Sequence, residues 1–117
     1  MAAIRRFHGK NAGRSRASAA GNLIYAVATA PDTTTGVADQ TRQTLDVIEG
    51  TLAETGSDKS RILSATIYLA DIRAKPEMDA VWCDWIGPEE NWPQRACVGV
   101  DLEGDTLVEI VVVAIPR

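Results

Sequence analysis

Two charged residues stand in apolar stretches of the C-terminal third of the sequence. Glu109 interrupts the apolar run 107–115, and Arg95 begins the run 95–100. A charge among apolar side chains is costly unless it is paired, protonated or open to a polar cavity. A guanidinium can bind a carboxylate through two parallel hydrogen bonds, and a partly desolvated glutamate can orient and deprotonate water. The two residues therefore indicate either a structural ion pair or a site for a small acidic ligand.

Cys97 shares the predicted strand face of Arg95, so a thiol nucleophile has to be considered. Such a nucleophile needs a neighbouring base or a lowered pKa, and the only histidine, His8, is distant in sequence. A small core side chain is therefore the favoured interpretation of Cys97. Asp71 and Asp79 are interpreted as solvated or capping residues.

The elements that must position these residues follow a mixed order. Hydrophobic periodicity and turn residues predict strands near residues 4–8, 14–19, 23–27, 61–70, 95–100 and 107–115, and helices over 39–54 and from 76 to the Gly87-Pro88 pair. Both faces of 107–115 are apolar, which is typical of a central strand buried on both sides. In 61–70, one face is predicted to carry Leu63, Ala65, Ile67 and Leu69.

The predicted fold is α+β: a mixed β-sheet with two α-helices packed on one face, in a single domain over residues 1–117. Two helices leave the second sheet face uncovered, so self-association through that face is expected. The second helix carries Trp82 and Trp85 at helical spacing, which favours core or subunit contacts over ring stacking with a ligand.

Composition excludes several classes of protein. Hydrophobic residues make up 45% and charged residues 24%, as in ordinary globular proteins. No apolar run is long enough to cross a bilayer. Two cysteines and no secretory signal favour a reducing cytoplasm. One histidine and the lack of a C-x-x-C pair argue against a zinc site.

The net charge of −4 is unevenly distributed, because five basic residues precede the first acidic residue, Asp32. This basic start allows a transit peptide or a nucleic-acid arm. A solvated strand and loop is favoured instead, since the acidic remainder repels phosphate. The basic residues are Arg5, Arg6, Lys10, Arg14 and Arg16.

Seven segments resemble, in order and spacing, those of the Rid proteins, also called the YjgF or reactive-intermediate deaminase family. They are Gly-Asn-Leu-Ile-Tyr at 21–25, Gln-Thr-Arg-Gln-Thr-Leu at 40–45, Gly-Ser-Asp-Lys-Ser-Arg-Ile-Leu at 56–63, Ala-Thr-Ile-Tyr-Leu-Ala-Asp at 65–71, Met-Asp-Ala-Val-Trp at 78–82, Pro-Gln-Arg-Ala-Cys-Val at 93–98 and Leu-Val-Glu-Ile at 107–110. The resemblance covers about residues 14–115. It implies a chorismate-mutase-like fold and a homotrimer with clefts between subunits.

The resemblance also implies a reaction, the hydrolytic deamination of a small 2-imino or enamine carboxylate to a 2-keto acid and ammonia, without a cofactor or metal. Arg95 stands where the family's deaminases hold the substrate carboxylate, and Glu109 where they position water. Cys97 matches a cysteine that lines the cleft. Arg14 replaces a tyrosine common in the family, and Val27 replaces a frequent hydroxyl residue. Both belong to the implied substrate-binding set and indicate a side branch of the family.

Two other functions remain open from the sequence. A protein of this fold can be a non-catalytic module that binds a small carboxylate or acts as a chaperone-like surface. Ribonuclease or translation-inhibitor activity is the third hypothesis. An acidic chain with one histidine and no basic, aromatic surface is less consistent with that activity, so nucleic acid is not the expected partner.

Overall fold

The N-terminal part of the chain forms an antiparallel meander. The computed structural model describes residues 3–117, and Met1 and Ala2 of the predicted domain lie outside the described residues. Strands β1 (Arg5–His8), β2 (Ser15–Ala20) and β3 (Leu23–Thr29) pair in sequence order. Gly21 lies in the β2–β3 turn with φ of 56°, a left-handed conformation that glycine adopts without a steric penalty.

Two helices carry the chain across the sheet. Helix α1 (Val37–Glu54) leads from β3 to β4 (Ile62–Leu69), and α2 (Lys75–Ile86) leads from β4 to β5 (Gln94–Gly99). Strand β6 (Val108–Ala114) comes last. The apolar residues of the two helices recur at helical spacing and are buried. They are Leu45, Ile48 and Leu52 from α1, and Met78, Trp82 and Ile86 from α2.

The six strands form one sheet in the order β1-β2-β3-β6-β4-β5. Neighbouring strands are antiparallel except for β4 and β5, which α2 connects as a parallel pair. The predicted α+β class, with a mixed sheet and two helices on one face, is confirmed. The core lies between the sheet and the helices.

The sheet has one covered face and one open face. On β6, the residues Val108, Ile110, Val112 and Ala114 are buried against the helices, whereas Glu109, Val111 and Val113 are only half-buried. The prediction that this strand is buried on both sides is therefore wrong for the single chain. The open face is defined by Tyr25, Val27, Thr29, Tyr68, Val98, Glu109, Val111 and Val113.

Strand β4 departs from the predicted alternation at its start. Leu63 was expected to share a face with Ala65, Ile67 and Leu69, which are buried, but Leu63 is 48% exposed and Ile62 is buried instead. The register against β6 shifts between Ile62 and Ser64, as in a β-bulge. The irregularity inserts one residue, so the two faces exchange before Ala65.

Two glycine substitutions test the packing at the end of β5. A Cβ atom at Gly99 would lie 2.8 Å from Cβ of Ile72, whereas one at Gly50 in α1 would meet nothing within 4 Å. We expect Gly99→Ala to lower the free energy of unfolding by about 1–3 kcal/mol, because the contact forces a backbone shift. The matched change Gly50→Ala should raise it by about 0.5–1 kcal/mol. Urea denaturation measures both, and equal effects of the two variants would contradict this packing.

Candidate functional site

A cleft opens at the end of the sheet where β3 ends and β6 begins. Its volume is about 630 Å³. It brings together three of the five residues implied by the sequence, Arg14, Val27 and Glu109. The loops before β2 and β6, the start of β2 and the end of β3 complete the lining with Gly9, Asn11, Ser15, Arg16, Ala28, Thr29, Glu103 and Thr106. Sequence reasoning did not assign these residues to a site, because their approach to one another depends on strand order and loop geometry, which a linear pattern does not specify.

Glu109 lies on the open face at the centre of three strands. It is directly opposite Thr29 on β3 and Tyr68 on β4. Its side chain is half-buried, and within residues 3–117 no ion pair engages its carboxylate. The carboxylate is therefore free to accept hydrogen bonds from water or a ligand in the cleft.

The two arginines of the cleft differ in how they are bound. Arg16 donates to Glu54 through Nη2, and to the His8 carbonyl oxygen through Nε at 3.2 Å. Arg14 is exposed, and it makes no ion pair with any residue of the described part. Arg14 is therefore the cation of this cleft that remains available to an anionic group.

Arg95 lies on the opposite, helix-covered face of the sheet. It pairs in register with buried Ala65, and its Nη2 donates to Oδ1 of Asp79 at 2.6 Å. The guanidinium carbon lies 5.4 Å from the ring centre of Trp82, and only 18% of the side chain is exposed. Within one chain, Arg95 and Glu109 therefore lie on opposite faces of the sheet. They form no ion pair, and they do not line the same cleft.

Asp79 was interpreted as solvated or capping, and that is wrong. Its carboxylate bridges Arg95 and Lys75, with 2.8 Å between Oδ2 and Nζ of Lys75. Burial alone would raise the pKa of Asp79, but the hydrogen bonds and positive charges of Lys75 and Arg95 outweigh burial and lower it. Asp71 does cap a short helical turn, accepting from the Arg73 amide.

Cys97 lies two residues after Arg95 on the same face. Burial raises the pKa of its thiol, an effect larger than the opposing influence of the Arg95 charge. His8 is on β1, at the other edge of the sheet, and hydrogen-bonds with Ser15. The thiol therefore has no histidine base nearby, which supports a packing role.

Neither a metal site nor a membrane-spanning helix occurs in the part of the chain that the structure describes. Within residues 3–117, no three side chains of His, Cys, Asp or Glu lie close enough to hold a metal ion. Over the same residues, none of the helices has both the length and the apolar character needed to span a membrane.

The fold and cleft define a small α+β protein whose mixed sheet is covered by helices on one face. The family model described as Endoribonuclease L-PSP matches residues 10–116. The chain belongs to this family, which includes the RutC, YjgF and Rid proteins. The membership predicted from the seven segments is confirmed.

Curated relatives and solved structures agree with this assignment. A RutC family protein of Haemophilus influenzae is 35% identical over 103 residues, covering 86% of this chain and 88% of the relative. One from Haemophilus ducreyi is 43% identical over 76 residues, 64% of each chain. The crystal structure of a YjgF family member from Neisseria meningitidis is 36% identical with a TM-score of 0.89, covering 98% of this chain and 96% of that one.

Proposed function

We propose that this protein hydrolyses small 2-imino carboxylates, which form by tautomerisation of enamines, to 2-keto acids and ammonia. The observation that carries the proposal is the uncommitted carboxylate of Glu109, half-buried in a cleft large enough for a small molecule. Membership of the Rid family supports the same reaction. The reaction needs no cofactor.

Arg95 is the residue we assign to the substrate carboxylate. Its guanidinium is held by Asp79 through Nη2 and by the face of Trp82. Among residues 3–117, Asp79 is its only oxygen partner, so other donors of the guanidinium remain for a ligand. A charge-assisted, two-point contact fixes the orientation of a planar carboxylate as well as its position.

Glu109 is the residue we assign to the attacking water. Water held by this carboxylate adds to the C=N carbon while the imine nitrogen gains a proton, which gives a carbinolamine. The carbinolamine then loses ammonia as its C–O bond becomes a carbonyl group. Because imine hydrolysis is intrinsically fast, positioning and modest acid–base assistance are sufficient. Arg14 and Val27 line the cleft of Glu109, and Cys97 lies beside Arg95 on the other face of the sheet.

A homotrimer would join the two halves of this site. We propose that the cleft of one protomer, with Arg14, Val27 and Glu109, lies beside Arg95 and Cys97 of its neighbour. The open face supports self-association, because Tyr25 and Val98 are 48% and 42% exposed there. Apolar side chains grouped on one surface indicate an interaction site.

A coupled assay tests the proposed reaction. The protein is added to a serine or threonine dehydratase that uses pyridoxal phosphate, and the decay of the released imine is followed. We expect wild type to accelerate the decay and Arg95→Ala to lose about 10–100-fold, the range expected for one charge-assisted contact of about 1.5–3 kcal/mol. Arg73→Ala is the matched control, because that arginine is 88% exposed and, within residues 3–117, its side chain bonds to Asp71 alone.

Two results would count against the enzyme. If wild type and Arg95→Ala leave the decay equally unchanged, the deaminase proposal fails. If small carboxylates still bind wild type in that case, the protein is a binding module of the same fold.

A further inference from the structure

Arg95 belongs to a charge cluster of three residues, with Asp79 and Lys75. Lys75 and Arg95 both bind the Asp79 carboxylate, Lys75 at 2.8 Å to Oδ2 and Arg95 at 2.6 Å to Oδ1. The cluster therefore has two positive charges and one negative charge, and a net charge of +1. Cys97 adds none, because burial raises the pKa of its thiol and keeps it protonated.

The cluster is partly shielded from water. The exposed fractions of the Arg95 and Asp79 side chains are 18% and 31%. Met78 and Trp82 pack beside the guanidinium, with 3.9 Å from Nη1 to the Met78 sulfur. Charges in such surroundings act more strongly on a nearby ion than charges in bulk water do. The sign and size of the net charge therefore determine which anion binds well.

We propose that Asp79 determines the charge selectivity of the Arg95 site, restricting it to small monoanionic carboxylates and disfavouring dicarboxylates and phosphate esters. The inference rests on the proposed function, since that function assigns the ligand carboxylate to Arg95, and it narrows the substrate class. A second effect follows from the same contact. Asp79 occupies Nη2, so only part of the guanidinium is available, and a compact monocarboxylate needs no more than that.

Lys75 acts in the opposite direction within the cluster. Its ammonium neutralises Asp79, and 44% of its side chain is exposed. Without Lys75 the net charge would be zero, and without the negative charge of Asp79 it would be +2. Removing the charge of Lys75 should therefore lower the affinity for anions, and removing the charge of Asp79 should raise it, although both residues lie on the same helix.

Calorimetric titration with two probes tests the selectivity. Pyruvate is the monoanion, and malonate is a dianion of the same carbon number. One unit charge at about 4 Å in water is equivalent to about a 5-fold change in affinity. Since the cluster is partly shielded, we expect Asp79→Asn to bind pyruvate at least about 5-fold more tightly and malonate at least about 25-fold more tightly, because the interaction energy doubles with ligand charge.

Asp84→Asn is the matched control, because it makes the same change in net charge at an exposed position of α2. Lys75→Gln should weaken malonate binding more than pyruvate binding, and it keeps the test valid if Asp79→Asn is poorly folded. Thermal unfolding of each variant checks its integrity.

The possible results separate the two proposals. Equal affinity of wild type and Asp79→Asn for malonate, including no binding by either, overturns the selectivity inference. An equal gain in malonate affinity from Asp84→Asn and from Asp79→Asn overturns it as well. If the shift toward malonate occurs but imine decay is never accelerated, the proposed reaction fails while the role of Asp79 stands.

Discussion

Subunits with Arg95→Ala and subunits with Glu109→Gln, each strongly impaired alone, should together regain about a quarter of the wild-type rate of imine hydrolysis. The reason is that Arg95 and Glu109 lie on opposite faces of one sheet. In a cyclic trimer with a site between neighbours, random mixing joins an intact Arg95 to an intact Glu109 in about one site of four. The measurement is the coupled assay after co-refolding equal amounts.

The controls for this mixing experiment are a mixture that is not refolded and a chain that carries both substitutions. Neither control should gain activity. In both, no site combines an intact Arg95 with an intact Glu109. Sedimentation analysis should show trimers for each variant. A stable monomer, or a co-refolded mixture as inactive as its components, would refute the intersubunit site.

Gln40→Leu should lower the free energy of unfolding by about 3 kcal/mol, since its buried hydrogen bonds cannot be replaced by water. The side chain is fully buried. Its Nε2 donates to the carbonyl oxygens of Thr35 at 3.0 Å and Asp105 at 3.1 Å, and its Oε1 accepts from the Leu107 amide at 2.9 Å. Loss of this amide leaves buried backbone groups without partners. Chemical denaturation measures the change.

Gln43→Leu provides the comparison for Gln40→Leu. Gln43 lies one turn later on α1, is only half-buried, and bonds mainly to the exposed loop at Asp32. Water can replace those bonds, so the loss should stay near or below about 1 kcal/mol. Similar losses of unfolding free energy for both variants would show that the Gln40 hydrogen bonds do not stabilise the loop before β6. Thr106 of that loop lines the cleft.

Periodicity was sufficient to predict most of the fold. The alternating residues of β6 were assigned correctly to two faces because strand side chains strictly alternate. Leu45, Ile48 and Leu52 located α1 because they lie on one side of a helix. Leu63 was misplaced, since a bulge is a property of the pairing between two strands and leaves little trace in one of them.

The site was harder to predict than the fold. Arg95 and Glu109 were selected as candidates because charges are rare in apolar strands. Their placement on opposite faces depends on strand order, which a linear pattern does not specify. Asp79 was missed for a related reason: an acid on an amphipathic helix is usually solvated, and its partner is 16 residues away along the chain.

The position of β6 at the centre of the sheet has a consequence during biosynthesis. Both neighbours of β6, β3 and β4, precede it in the chain and leave the ribosome first. Until residues 108–114 emerge, each of these strands keeps an unpaired edge, and such edges favour aggregation of a nascent chain. The sheet therefore cannot form progressively from its N-terminus. Strand β6, translated after β3 and β4, joins two incomplete halves, so folding of this sheet and its protection from aggregation are completed together.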